Sequence, residues 1–194
     1  MVLILSAIFG AMALICSIDI IFFMETICAS PSFIVFAVVM STLAEVAIDG
    51  LFAFIVNNLP NKWFKNKKFF NVSKKEQRFY EKLGVHSWKD KVWELGGLGG
   101  FSKSKLSDPS DPMYIERFLI ESYKGEIDHI VGIIMGFTVI FVFPLRFALF
   151  VGVPVAIVNM ILNCLPIMIL RYNTPKLMVL HKRAVRNKER RIQE

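Results

Sequence analysis

Residues 121–129 read Glu121-Ser122-Tyr123-Lys124-Gly125-Glu126-Ile127-Asp128-His129, and from Ile130 to Leu170 the chain is apolar except for Arg146 and a few small polar groups. This junction decides the fold. Forty-one helical residues would reach about 60 Å, twice a hydrocarbon core of roughly 30 Å. Pro144 and Arg146 stand near the middle of the run, so it reads as two membrane spans joined by a tight outer turn near Phe143 to Arg146. The first of the two is short, about 14 residues by this division of the run, which puts Gly125 to His129 at or just under the interface. At about 100° per residue, Glu121, Glu126 and His129 share an arc of roughly 140° on one helix. Two carboxylates and an imidazole can therefore face one way at the mouth of a span, where ionisable groups are costly and point to function. A solvated helix end with ordinary charges is the plain alternative.

Working outward, two more apolar runs precede the junction. Residues 2–23 are long enough to span; the missing basic segment before them argues against a signal peptide. Asp19 lies inside this run. Residues 24–32 hold Pro31 and no basic residue and suit a short outer loop. Residues 33–57 form the second run. Its Glu45 and Asp49 are four apart on one helix face, which reads as a polar seam packed against another span.

Charge then sets orientation. The 194 residues include 23 Lys and Arg and are 55% hydrophobic, with a mean hydropathy of +0.52. None of the basic residues lies in residues 1–57, fourteen lie in 58–128, one is Arg146 and eight lie in 171–194. A chain that keeps its basic segments on one side of a bilayer has this distribution. The surplus reads as topology and contact with anionic lipid; no nucleic-acid-binding module accompanies it. Cys16, Cys28 and Cys164 form no disulfide framework and no zinc spacing.

The expected fold class is all-α: a polytopic membrane protein with about four transmembrane helices and a cytosolic helical insert between spans 2 and 3. Residues 1–57 form an N-terminal transmembrane hairpin, 58–128 the interfacial insert, 129–171 a C-terminal transmembrane hairpin and 172–194 a basic cytosolic tail. Both termini are expected in the cytosol of a cell-membrane protein. Within the insert, Lys62, Lys65, Lys67 and Lys68 alternate with Trp63, Phe64, Phe69 and Phe70, a mixture suited to the headgroup zone. Ser73 and Glu76 have capping-box spacing, predicting a helix from about Lys74 to Leu83 closed by Gly84. Gly96, Gly97, Gly99 and Gly100 mark a turn with no nucleotide fingerprint. Asp111-Pro112 predicts the start of the helix that carries Glu121 and His129. The tail from Lys182 to Arg191 reads as a basic amphipathic or disordered end on anionic lipid.

Four spans would bring Arg171-Tyr172-Asn173, at the inner end of the last, to the depth of Glu126 and His129, with Trp88, Lys89 and Asp90 on the same side. A base, a carboxylate, a fixed cation and an amide could then meet. No Ser or Cys nucleophile is clearly positioned with them, which favours direct transfer through a general base over a covalent relay.

Four motifs in order carry a resemblance. Tyr80-Glu81-Lys82-Leu83-Gly84-Val85 is followed by Trp88-Lys89-Asp90-Lys91; next come Glu121, Glu126 and His129; then Asn163-Cys164-Leu165-Pro166; then Arg171-Tyr172-Asn173 with Pro175. Over about residues 75–180 the chain resembles the glycosyl-4,4'-diaponeurosporenoate acyltransferases of staphyloxanthin-type carotenoid biosynthesis. It departs where that family usually has Leu-Pro (here Val92-Trp93), Trp after the His (Ile130) and Arg after Arg-Tyr-Asn (Thr174). The resemblance implies a membrane acyltransferase moving a fatty acyl group from a thioester donor to a hydroxyl of a glycolipid-like acceptor. His129 would be the general base, with Glu126 orienting or stabilising its ring and Glu121 further back. Arg171 would meet a donor phosphate or the oxyanion, and Lys89 and Lys91 the donor's phosphates. Asn163 would donate to the oxyanion or to another span, and Trp88, Asp90, Tyr172 and Asn173 complete the substrate-binding set. No resident cofactor or metal is expected, acyl-CoA serving as co-substrate. Membrane lipids are expected partners and nucleic acid is not. The competing class is a non-enzymatic membrane subunit that binds lipid or a partner protein through its basic loop and tail.

Overall fold

The computed structural model describes residues 2–65, 67–92 and 106–193. All regular elements among them are helical. Contacts divide the chain into two compact units, Met1–Ile55 with Asp128–Leu165 and Val56–Ile127 with Pro166–Glu194.

The first unit opens with α1, Val2–Ile18, which passes through a π-helical turn, Asp19–Phe23, into α2, Met24–Ile27. The first run is therefore helical to Ile27, and the connection expected over 24–32 shrinks to residues 28–30. Cys28 makes that economy possible by taking a left-handed φ of 52°. Helix α3, Pro31–Asn57, then starts with Pro in its first turn, where a missing N–H costs nothing, while the Ser30 hydroxyl accepts from the Phe33 N–H at 3.3 Å.

Helix α6, Pro112–Gly136, re-enters this unit at Asp128 and tightens into a 3-10 segment, Phe137–Phe141. The chain breaks at residues 142–144, where Pro144 is extended (ψ 152°). It resumes as α7, Leu145–Phe147, a second π-helical turn, Ala148–Gly152, and α8, Val153–Gln193. Ile27, Ile34, Val38, Val139, Phe147, Val151 and Val155 are the centre of the core. Gly152 allows the return: a Cβ there would lie 2.8 Å from the Ile140 Cα.

Among the described residues, three helical stretches are long and apolar enough to cross a membrane: Leu5–Ile27, Pro31–Asn57 and Leu145–Gln193. Their outward faces carry Phe9, Leu14, Phe22, Leu43, Phe54, Leu149 and Ile161, all exposed. A continuous apolar exterior of this kind fits a lipid solvent. The expected third span at residues 130–143 is the end of α6 plus the 3-10 segment and is not among the three.

In the second unit, the Ser73 hydroxyl accepts from the Glu76 N–H at 3.1 Å and starts α4, Lys74–Lys82. Gly84, at φ 63°, ends that helix and leads into α5, Val85–Trp88. The Asp111 carboxylate caps α6, accepting from the N–H groups of Met113 at 3.1 Å and Tyr114 at 3.3 Å. The Gly96–Gly100 turn lies outside the described residues. Helix α8 does not stop at Arg171: it continues through Pro166 and Pro175 to Gln193, so the described part of the basic tail is helical. Thr174 returns one bond near the second proline, donating to the Leu170 carbonyl at 2.9 Å.

Candidate functional site

Three helix faces with a four-residue repeat meet in the first unit. On α3 the pair is Glu45 and Asp49; on α8 it is Asn159 and Asn163; on α6 it is Gly132 and Gly136, with His129 one turn earlier. The glycines allow the approach. A Cβ on Gly132 would lie 2.8 Å from Asp49 Oδ1, and one on Gly136 would lie 2.8 Å from Glu45 Oε2. Small residues spaced this way let membrane helices come close enough for polar side chains to pair across them.

The hydrogen bonds in this cluster run in one direction. Asn159 Nδ2 donates to Glu45 Oε2 at 3.1 Å and faces the Gly132 carbonyl at 3.4 Å. Asn159 Oδ1 then accepts from Asn163 Nδ2 at 2.8 Å. The same Nδ2 lies 3.2 Å from Asp49 Oδ2. With its amide nitrogen committed to acceptors, Asn163 turns Oδ1 toward His129 Nδ1, 2.8 Å away. Where Asn163 Oδ1 accepts, Nδ1 carries a proton, and in the neutral ring Nε2 is then the basic nitrogen. A half-buried imidazole in this tautomer can take a proton from a hydroxyl.

The second unit holds a different arrangement. Arg171 pairs with Glu76 and with Glu126, and its Nη2 donates to Glu76 Oε2 at 3.1 Å. Glu126 is 1% exposed. Burial pushes its carboxyl above the ordinary range, and Arg171 pulls the other way. Glu76 is held below that range, first by its hydrogen bond from Arg171. Tyr80 donates to Glu76 at 2.7 Å, and burial together with that bond pushes its hydroxyl up to about 12. Arg171 is thus engaged by two carboxylates of its own unit.

The remaining expected residues are spread over the second unit. Glu121 faces Lys124 at 3.7 Å, and the buried Lys124 ammonium donates to the Asn57 carbonyl at 3.1 Å. Tyr172 is buried under Lys176, whose ammonium sits 3.9 Å from the ring centre. Asn173 is half-buried on α8. Trp88 packs beside Tyr80, Val85 and Tyr172 and donates to the Leu83 carbonyl at 3.2 Å. Lys89 pairs with its neighbour Asp90, and Lys91 is exposed.

Sequence reasoning placed His129 and Asn163 in the candidate set and left out Asp49, Glu45 and Asn159. The signal was present as two i,i+4 polar pairs inside apolar runs, but nothing in the spacing said that they face the same helix. A further feature is a groove of about 430 Å³ in the second unit, with Lys65, Lys67, Lys68 and Lys182 on its rim and Leu119 and Tyr123 in its floor. A basic rim over an apolar floor suits a phosphate-bearing amphiphile.

No curated protein and no solved structure matches the chain. Residues 60–183 match the glycosyl-4,4'-diaponeurosporenoate acyltransferase family, a stretch that contains His129, Asn159, Asn163 and the Arg171 cluster. The chain therefore belongs to the glycosyl-4,4'-diaponeurosporenoate acyltransferase family, whose members are acyltransferases of carotenoid biosynthesis.

Proposed function

We propose that this protein transfers a fatty acyl group from a thioester donor, acyl-CoA, to a sugar hydroxyl of a glycolipid-like acceptor, with His129 as the general base. The observation that supports this reading is the His129–Asn163 contact at 2.8 Å: with Nδ1 donating to the amide oxygen, a neutral ring has Nε2 as its basic nitrogen. In the reaction the acceptor hydroxyl oxygen attacks the thioester carbonyl carbon as His129 Nε2 takes its proton. The C–S bond then breaks, and the imidazolium returns the proton to the departing thiolate. An ester and a free thiol result, so no oxidant or metal is needed for balance.

Arg171 is not taken as a contact for the donor's phosphates, because two carboxylates already occupy that guanidinium. In this reading the chain spans the membrane four times with its basic segments in the cytosol. The short third span is the end of α6, with Gly132 and Gly136 against α3 and α8. Asn163 serves as a partner of the base rather than as an oxyanion donor.

The test is turnover by membranes containing His129→Ala, with lipid mass spectrometry reading the added acyl mass. Loss of about 10²–10⁴-fold is expected for removal of a general base, with insertion and monodispersity unchanged. His129→Gln should not rescue, since an amide accepts no proton at neutral pH. Near wild-type turnover by His129→Ala would remove the proposed base.

A further inference from the structure

We infer that Asp49, on a helix outside the family-matched residues 60–183, is a positioning residue for the catalytic imidazole, acting on His129 through the Asn163 amide. The inference rests on His129 being the base.

An Asn side chain can present either its oxygen or its nitrogen to a neighbouring ring, and only one choice leaves His129 with a basic Nε2. If Asn163 offered Nδ2, the ring would have to accept at Nδ1 and carry its proton on Nε2, the nitrogen that must act as base. Asp49 works against that choice. Its Oδ2, 3.2 Å from Asn163 Nδ2, is acceptor-only when ionised and so attracts the amide nitrogen and repels the amide oxygen. Asn159 Oδ1, at 2.8 Å, has the same sign of preference. Asn159 is itself set by Glu45, which takes its Nδ2 at 3.1 Å. With both groups ionised, two carboxylates on one face of α3 fix two amides on α8, and the second amide fixes the ring on α6.

Structural need alone does not account for Asp49. A carboxylate inside an apolar span is costly unless partnered, and Asp49 Oδ1 is buried with no hydrogen-bond partner, as is Glu45 Oε1. Gly132 gives up its side chain to admit that same Oδ1, which a Cβ would meet at 2.8 Å. An alanine at position 49 would strand no oxygen there. The retained oxygens mark a site that gives up stability for orientation.

The experiment uses full-length protein in detergent, labelled with ¹⁵N-histidine, and measures both the His129 tautomer and turnover. His129→Gln identifies the His129 signals among the three histidines. Wild type should show a protonated Nδ1 and an unprotonated Nε2. Asp49→Ala and Asp49→Asn should both disturb that signature and lower kcat by about 10–100-fold, the usual cost of losing a group that orients a ligating or catalytic imidazole, with KM little changed. Asp49→Asn is informative because its amide can donate to Asn163 Oδ1 and so permits the flipped orientation. Asp19→Asn changes another buried carboxylate of the same unit and should leave tautomer and kcat alone. An unchanged tautomer and kcat in Asp49→Ala, with His129→Ala inactive, would overturn the inference and leave the base in place. An active His129→Ala would instead remove the functional reading beneath it.

Discussion

His129 and Asn163 stand 34 residues apart in sequence and 2.8 Å apart in space, with the ring nitrogen Nδ1 donating to the amide oxygen. The bond does two things. It holds the imidazole plane, and in the neutral ring it favours Nε2 as the basic nitrogen. Asn163→Ala should therefore cost more than a lost contact. The expected fall in kcat is about 10–100-fold, with KM changed little, because the acceptor still binds while the base spends time in the wrong tautomer. Steady-state kinetics on purified protein separate the two constants. A change confined to KM would make Asn163 a substrate contact.

The glycine face of α6 gives a steric prediction. Gly132→Ala places a methyl 2.8 Å from Asp49 Oδ1 and 3.4 Å from Asn163 Oδ1. Asp49 Oδ1 must move, and its carboxylate is the group that holds the Asn163 amide facing His129. Turnover should fall by about tenfold or more with the protein still inserted, since small displacements near a base cost this much. Gly50→Ala has nothing within 4 Å of its new methyl and should behave as wild type. Equal activity of the two variants would mean that the carboxylate seam does not support the site.

Much of the local structure was legible in the sequence because its causes are local. The Ser73 and Asp111 caps, the left-handed Gly84 and the break at Pro144 each follow from one or two residues and their backbone preferences. The polar face of α3 was legible too, since Glu45 and Asp49 are one turn apart. What periodicity cannot supply is the identity of the opposing helix. Glu126 lies three residues before His129 and looked like its natural carboxylate. In the fold it is paired with Arg171, and the amide that meets the ring comes from Asn163. Nor did the prolines end α8, because a missing N–H at Pro166 and Pro175 removes single bonds from a helix of 41 residues whose packing outweighs them.

The Arg171 cluster predicts how the second unit responds to mutation. Arg171→Met leaves Glu126, 1% exposed, buried without its cation, a change that typically costs about 3–5 kcal/mol. Glu126→Gln combined with Arg171→Met should recover part of the loss, because the orphaned charge is gone. Thermal unfolding in detergent reads both. If the double variant melts no higher than Arg171→Met, charge burial is not the cause.

The same cluster has a sign with pH. Glu76 is held below its ordinary range by Arg171, so its contribution is complete above the unfolded carboxylate value, about 4.3. It is lost as pH falls further, through the lower folded value. Glu126 is raised by burial, so its contribution runs the other way: greatest at acid pH and lost as pH rises through its folded value. Glu76→Gln should therefore lower the melting temperature at pH 7 and flatten the decline below about pH 4. An unaltered acid decline in that variant would place the responsible carboxylate elsewhere.

The groove in the second unit supplies the final prediction. Lys65 is paired with Glu116 at 2.7 Å, whereas Lys67, Lys68 and Lys182 are exposed on the rim. Leu119 and Tyr123 give the floor apolar surface, so a ligand there should carry both phosphate and hydrocarbon. With an anionic phospholipid as that ligand, Lys67→Glu with Lys68→Glu should weaken its retention by about tenfold or more, at roughly 1 kcal/mol per basic residue near an anionic partner. The effect should shrink as salt rises from 0.05 to about 0.5 M, as the Debye length falls well below 10 Å. Turnover at saturating donor should stay near wild type, because neither lysine belongs to the His129 cluster. Unchanged retention of anionic phospholipid by the double variant would mean that the groove does not hold a lipid headgroup.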